Sequence, residues 1–137
     1  MTEILSIFQR HQRLLFILAS LYVIGLIVSH SQLPQEHVWA IAAVFSIAMN
    51  FTYLIEAISL KSYVKLEAFV AILLIMASLL GVFISPLFVI SAIFAHGVWD
   101  INKHYGKGIA FFSWYTLGCA LVDFTYSGAL LWYWIAH

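Results

Sequence analysis

The chain has 137 residues, of which 64% are hydrophobic and 9% charged, and its formal net charge is zero. Six basic and six acidic side chains are too few to cover a water-soluble domain of this size, so the composition predicts a single integral membrane domain over residues 1–137. Because the basic residues are few and dispersed, the composition also argues against a nucleic-acid partner.

Five apolar stretches separated by short polar loops predict an all-α bundle of five transmembrane helices. The predicted spans are residues 13–29, 38–60, 66–83, 87–102 and 110–134. Each stretch is long enough, or nearly so, to cross about 30 Å of hydrocarbon at about 1.5 Å per residue. Residues 1–12 are expected to form a short amphipathic segment before the first span, and Pro86 suits the first turn of the fourth helix.

The basic residues indicate how the five spans are oriented. They precede the first span, follow the second and follow the fourth: Arg10, Arg13, Lys61, Lys65, Lys103 and Lys107. The other two loops carry none, so the positive-inside rule predicts a cytoplasmic N-terminus and an outside C-terminus. The expected location is a multi-pass one in the inner membrane of a bacterium. Membrane lipids are the expected partners, and a homo-oligomer is left open.

Four acidic residues lie in or near the predicted spans, where inserting a carboxylate costs at least about 2.5–3.5 kcal/mol. They are Glu56, Glu67, Asp100 and Asp123. The predicted orientation places them in the cytoplasmic half or near the middle of the bundle, where they could share one cavity. The alternative is that Glu56 and Glu67 reach the interface and pair with Lys61 or Lys65.

His96 and Asp100 lie near the end of the fourth span and His104 lies just beyond it, and the three are spaced four residues apart. Each step of four turns a helix by roughly 40°, so these side chains can share one face. This pattern is typical of a metal site, which would make a divalent metal the cofactor, and also of a carboxylate that orients a histidine base. The alternative is a hydrogen bond between His96 and Asp100 alone, with His104 in the loop.

The candidate residues fall into two groups. The candidate catalytic residues are His96, Asp100, Asp123 and Glu67. The candidate substrate-binding residues are Trp99, Glu56, Asn50, Tyr53, Cys119 and Tyr126. By contrast, His30, Glu36 and His37 fall in a predicted outer loop and are expected to be solvated. Gly-rich phosphate loops, serine nucleophile elbows and Cys-x-x-Cys pairs are absent from the sequence, which argues against a serine hydrolase or a redox dithiol.

Two separated motifs resemble a family of small bacterial integral membrane proteins, a domain of unknown function. The run from His96 to Asp100 is similar to the His-x-x-Trp-Asp segment that ends one span in that family. The run from Gly118 to Asp123 is similar to its Gly-Cys-Ala-x-x-Asp segment in the next span, and Glu67 matches an acid in the span before them. The resemblance covers residues 67–132 and implies site residues, but it brings no activity.

This chain departs from the family pattern at three points. Lys103 stands where the first of two adjacent histidines would be, so only His104 remains. The linker between the two motifs lacks the prolines of the family, and Phe124 replaces a proline after the second aspartate. A metal site that needs both histidines would therefore lack one ligand here.

These features favour a small membrane enzyme that acts on a lipophilic substrate by acid–base or metal-assisted chemistry. Isomerisation or cyclisation of an isoprenoid-like molecule is one form, because aromatic faces stabilise cationic intermediates. A proton or metal transporter is one alternative, and it predicts polar groups at both faces, whereas the outer half of the bundle is expected to be nearly all apolar. An accessory or structural subunit is the other alternative, and it predicts paired acids without a cavity.

Overall fold

A computed structural model describes residues 12–137, and α-helix is the regular secondary structure found in that range. The helices are α1 (Gln12–His30), α2 (Gln35–Met49), α3 (Phe51–Leu60), α4 (Val64–Phe83), α5 (Pro86–His104) and α6 (Ser113–Ala136). Asn50 is the single residue that separates α2 from α3. The all-α prediction is confirmed, whereas the amphipathic segment predicted before the first span lies outside the described residues, apart from its last residue.

Local sequence explains where the helices begin and end. Ser85 caps α5 by accepting a hydrogen bond from the Leu87 backbone N–H at 3.4 Å, and Pro86 occupies the first helical position, where its missing N–H costs nothing. Between α3 and α4, Lys61 and Tyr63 adopt positive φ angles of 52° and 57°. These left-handed residues reverse the chain within a very short connector.

Helix α5 lies at the centre of the bundle. It packs against α4 on one side and against α6 on the other, and these are the two most extensive helix contacts. Helix α1 packs along α6, while α2 contacts α4 and α5. Gly81 on α4 allows the close approach to α5, because a Cβ at this position would meet the Val89 side chain and backbone. The residues of α5 that face inward are therefore surrounded by other helices.

The outer surface of the bundle is apolar. Leu21, Val44, Phe69 and Phe83 are all more than half exposed, and they lie on three different helices. Two helical stretches among the described residues, 35–60 and 64–83, are long and apolar enough to cross a membrane, with mean hydropathies of 1.8 and 2.5. These features support membrane association.

Candidate functional site

Three buried ionisable side chains from α5 and α6 meet inside the bundle. His96 Nδ1 lies 2.9 Å from Asp123 Oδ2 and 3.3 Å from Asp100 Oδ2. His96, Asp100 and Asp123 are 2%, 0% and 1% exposed. His96 and Asp100 share a face of α5 because they are one turn apart, and Gly97 leaves room for Asp123, since a Cβ at Gly97 would lie 3.1 Å from that of Asp123. Tertiary packing thus adds the third member from another helix.

Tyr53 of α3 completes this cluster. Its hydroxyl donates a hydrogen bond to Asp100 Oδ1, and its ring lies parallel to that of His96, with ring centroids 5.9 Å apart. Two buried polar atoms of the cluster, Asp100 Oδ2 and His96 Nε2, have no hydrogen-bond partner among residues 12–137. Buried polar atoms in folded proteins are nearly always paired, so these two point to a missing partner.

A second buried cluster surrounds Glu67 of α4. Its Oε1 forms an ion pair with Lys103 Nζ and accepts a hydrogen bond from the Ile109 N–H at 3.0 Å. Its Oε2 accepts a hydrogen bond from Trp99 Nε1 at 3.2 Å, and Lys103 donates to the Ile109 carbonyl at 3.1 Å. Glu67 therefore pairs with Lys103, and the alternative pairing with Lys61 or Lys65 does not form.

The second cluster anchors the loop between α5 and α6 to α4. Gly108 has a φ of +68°, and a Cβ there would lie 2.6 Å from both Glu67 Oε1 and Lys103 Nζ. Lys103 Nζ also lies 5.0 Å from the ring centroids of Tyr53 and Trp99, which is within cation–π range. The ring of Tyr53 thus lies between the two clusters. Glu67 is used to fix the loop and does not reach His96.

The structure places His104 apart from the residues with which the sequence grouped it. His104 is exposed at the end of α5, and its ring packs against Tyr105 with centroids 5.2 Å apart. The group of possible metal ligands that the structure brings together is His96, Asp100 and Asp123, whose nearest ligand atoms all lie within 4.8 Å of one another. Two steps of four residues turn the helix by roughly 80°, which carries His104 away from the face of His96.

The other candidate substrate-binding residues are dispersed. Asn50 is buried, and its Nδ2 donates to the Ser46 carbonyl at 2.6 Å. Glu56 is half-buried one turn beyond Tyr53 and forms no ion pair within residues 12–137. Trp99 is half-buried and bound to Glu67, as described above. None of these three lines the groove described next.

An apolar groove reaches the His96 cluster from the side of α1 and α2. Its volume is about 430 Å³, and Asp123 provides the single carboxylate among the described residues that line it. Cys119, one turn before Asp123, also lies in its wall. The remaining side chains of the wall are mainly apolar or aromatic: Phe16, Leu18, Ala19, Tyr22, Phe45, Met49, Tyr115 and Val122. The cluster is therefore in contact with a space that suits a lipophilic molecule.

The solvated outer-loop prediction is wrong for His30. This residue is 4% exposed, and its Nε2 lies 2.7 Å from the Tyr126 hydroxyl. Helix α1 continues through His30, which lies seven residues after buried Val23 and therefore faces the same way, into the bundle. The same pair lines a second cavity of about 490 Å³ at that end of the bundle. The half of the bundle that the sequence predicted to face outward and to be nearly all apolar thus contains a buried polar pair.

Lys103 is the site residue that the sequence did not suggest. The sequence places it among the basic residues that follow the fourth span, yet it is 3% exposed and paired with Glu67. Its position in the sequence could have indicated its burial, because it follows His96 by seven residues and Asp100 by three and so lies on the same helical face.

Comparison of the chain with family models, with curated proteins and with solved structures found no match.

Proposed function

We propose that the bundle crosses a membrane five times. Helices α2 and α3 together form one crossing, and each of the other four helices forms one. The apolar outer surface and the burial of ionisable groups inside the bundle support this arrangement. The exposed basic residues support an N-terminus on the cytoplasmic side, because Arg13, Lys61, Lys65 and Lys107 would then share that side. A bacterial inner membrane is the location implied by the resemblance to small bacterial membrane proteins.

We propose that the protein is a small membrane enzyme acting on a lipophilic substrate. One observation carries this proposal: the Asp123 carboxylate, held by His96 at 2.9 Å, forms part of the wall of an apolar groove. Ionisable groups beside an apolar cavity are typical of catalytic sites. A purely structural pair would need no such cavity.

The groove suits a substrate taken from the bilayer. Its aromatic wall, which includes Phe16, Tyr22 and Phe45, would pack against an apolar chain and would stabilise a developing cation. Asp123 with His96 behind it supplies acid–base or metal-assisted chemistry at one point of that wall. Isomerisation or cyclisation of an isoprenoid-like molecule fits these properties.

Lipid conversion by the purified protein tests this proposal. Protein in lipid nanodiscs is incubated in D₂O with a total lipid extract of bacterial membranes, and the lipids are analysed by liquid chromatography and mass spectrometry. We expect one lipid class to change in retention time, mass or deuterium content, and Asp123→Asn to slow this change by at least about 100-fold. Glu36→Gln, an exposed change far from the groove, is the control. Identical lipid profiles for the wild type and Asp123→Asn would overturn the proposal.

A proton or metal transporter is the second candidate, and the His30–Tyr126 pair favours it. This pair and its cavity place polar groups in the half of the bundle opposite to the Glu67–Lys103 pair. A transporter needs polar groups in both halves. Proton or Mn²⁺ uptake into proteoliposomes that is lost in both His30→Gln and Asp123→Asn would favour transport over catalysis.

A further inference from the structure

We infer that His96, Asp100 and Asp123 together bind one divalent cation of the first transition row, of the Mn²⁺ or Zn²⁺ type. The inference deepens the proposed function, on which the catalytic role of the ion rests, although binding itself stands on the geometry of the cluster. The ligand atoms are His96 Nδ1, Asp100 Oδ2 and Asp123 Oδ2. This set replaces His104 of the sequence pattern with Asp123 from the neighbouring helix.

The distances from His96 Nδ1 to the two carboxylate oxygens fit a shared ion. Ligand atoms about 2.0–2.2 Å from one ion lie about 2.8–3.6 Å apart when the angles between them are octahedral or tetrahedral. His96 Nδ1 lies 2.9 Å and 3.3 Å from the two carboxylate oxygens. All three residues come from helices and are almost fully buried, so packing restricts their arrangement.

Hydrogen bonding within the cluster leaves one ligand atom without a partner. An imidazole nitrogen carries at most one proton, and the bond at 2.9 Å directs it to Asp123. Asp100 Oδ2 faces the same nitrogen, is fully buried and has no hydrogen-bond partner within residues 12–137. A cation between the three atoms would satisfy all of them at once, which a single proton cannot do.

Charge leads to the same conclusion. Two buried carboxylates require compensation, because an unpaired charge in an apolar interior is strongly unfavourable. Protonation of His96, which contacts both carboxylates, would compensate only one of the two charges, and the Lys103 ammonium is already paired with Glu67. The other lysine and arginine side chains that the structure describes, Arg13, Lys61, Lys65 and Lys107, are exposed. A divalent ion would balance the charge of Asp100 and Asp123.

The donor types select the class of ion. One imidazole and two carboxylates suit Mn²⁺, Fe²⁺ or Zn²⁺, whereas Mg²⁺ prefers oxygen ligands and keeps much of its water. Tyr53 donates to the second oxygen of Asp100, which is the kind of contact that orients a ligating carboxylate. Because Asp123 also lines the groove, the ion would lie beside it and supply a Lewis acid there.

Metal binding to the purified full-length protein tests the inference. Metal-free protein in detergent is titrated with Mn²⁺, Zn²⁺ and Mg²⁺ by isothermal calorimetry, and metal content is measured by mass spectrometry after dialysis. We expect the wild type to bind one Mn²⁺ or Zn²⁺ per chain and Mg²⁺ far more weakly. His96→Gln, Asp100→Asn and Asp123→Asn should each lose binding by 100-fold or more. His104→Gln is the matched control and should bind as the wild type does.

Tyr53→Phe keeps all three ligands, so it tests the site even where a ligand variant fails to fold. We expect its affinity to fall by about 10–100-fold, as is usual when a partner of a ligating group is removed. The inference is overturned if folded wild-type protein binds neither Mn²⁺ nor Zn²⁺ at millimolar concentration, or if His104→Gln loses binding while Asp123→Asn retains it.

The two proposals fail in different ways. Lipid conversion that persists in wild-type protein stripped of metal would overturn the catalytic role of the ion and leave the enzyme proposal standing. Stoichiometric ion binding without lipid conversion or transport would support the metal site and overturn the proposed enzyme. The His96, Asp100 and Asp123 variants are therefore measured in both assays.

Discussion

At the scale of residues, one face of α5 carries three buried ionisable side chains, and a different helix partners each of them. His96 contacts Asp123 on α6, Asp100 accepts a hydrogen bond from Tyr53 on α3, and Lys103 pairs with Glu67 on α4. Each contact pairs one polar atom of a group that would be costly to bury alone. The polar residues of α5 thereby tie together three neighbouring helices.

Removing one partner of the Glu67–Lys103 ion pair should destabilise the protein strongly, because the other charge would remain buried and unpaired. Lys103→Met leaves the Glu67 charge buried and unpaired and should lower the free energy of unfolding by about 3–5 kcal/mol. Glu67→Leu combined with Lys103→Met should cost less than the sum of the two single changes, because neither charge then remains. Unfolding by sodium dodecyl sulfate in mixed micelles measures these differences.

Lys107→Met is the control for this pair, because Lys107 is exposed in the same loop. A change there should alter the free energy of unfolding by no more than about 0.5 kcal/mol. Strict additivity of the two single changes in the double variant would show that the ion pair is not energetically coupled.

At the scale of elements, the position of α5 depends on close helix packing. Gly81 faces Val89 across the α4–α5 contact, and Gly97 faces Asp123 and Phe124 across the α5–α6 contact. Small residues at such contacts allow helix backbones to approach each other in a membrane, where the hydrophobic effect does not drive helices together. The His96 cluster therefore depends on glycines that take no part in its chemistry.

Gly81→Ala should destabilise the bundle. The added Cβ would meet the Val89 backbone N at 2.6 Å, so the helices must move apart, at a cost of about 1–3 kcal/mol. Gly25→Ala is the matched control, because nothing lies within 4 Å of a Cβ there, and alanine should stabilise α1 by up to about 1 kcal/mol. The same detergent unfolding measurement compares the two. Equal effects would contradict the close α4–α5 contact.

At the scale of the whole molecule, polarity is distributed in the opposite way to that of a soluble domain. Leucine, isoleucine, valine and phenylalanine side chains cover the outer surface, while Glu67, Asp100, Lys103 and Asp123 are buried. This distribution is stable when the surroundings are hydrocarbon, since the apolar surface then needs no cover and the polar groups find partners inside. The apolar exterior of the bundle therefore encloses a polar interior.

The proposed five membrane crossings would place the two chain ends on opposite sides of the membrane. We expect alkaline phosphatase fused after His137 to be active outside the cytoplasm, and the same enzyme inserted at Ser62, between α3 and α4, to be inactive. Green fluorescent protein at the same two sites should give the reverse pattern, because it fluoresces only in the cytoplasm. Cytoplasmic signals from both positions would contradict the five-span arrangement.

The sequence alone determined the all-α class, the approximate helix boundaries and the shared face of His96 and Asp100, because these depend on local composition and on the helical repeat. It also singled out Asp123 as a costly buried acid. The tertiary structure decided which of these groups meet: Asp123 joins His96 where His104 does not, Lys103 captures Glu67, and His30 turns inward to Tyr126. These contacts depend on how helices rotate and approach one another, which is set by packing between residues far apart in sequence. A helical repeat fixes only the face within one helix.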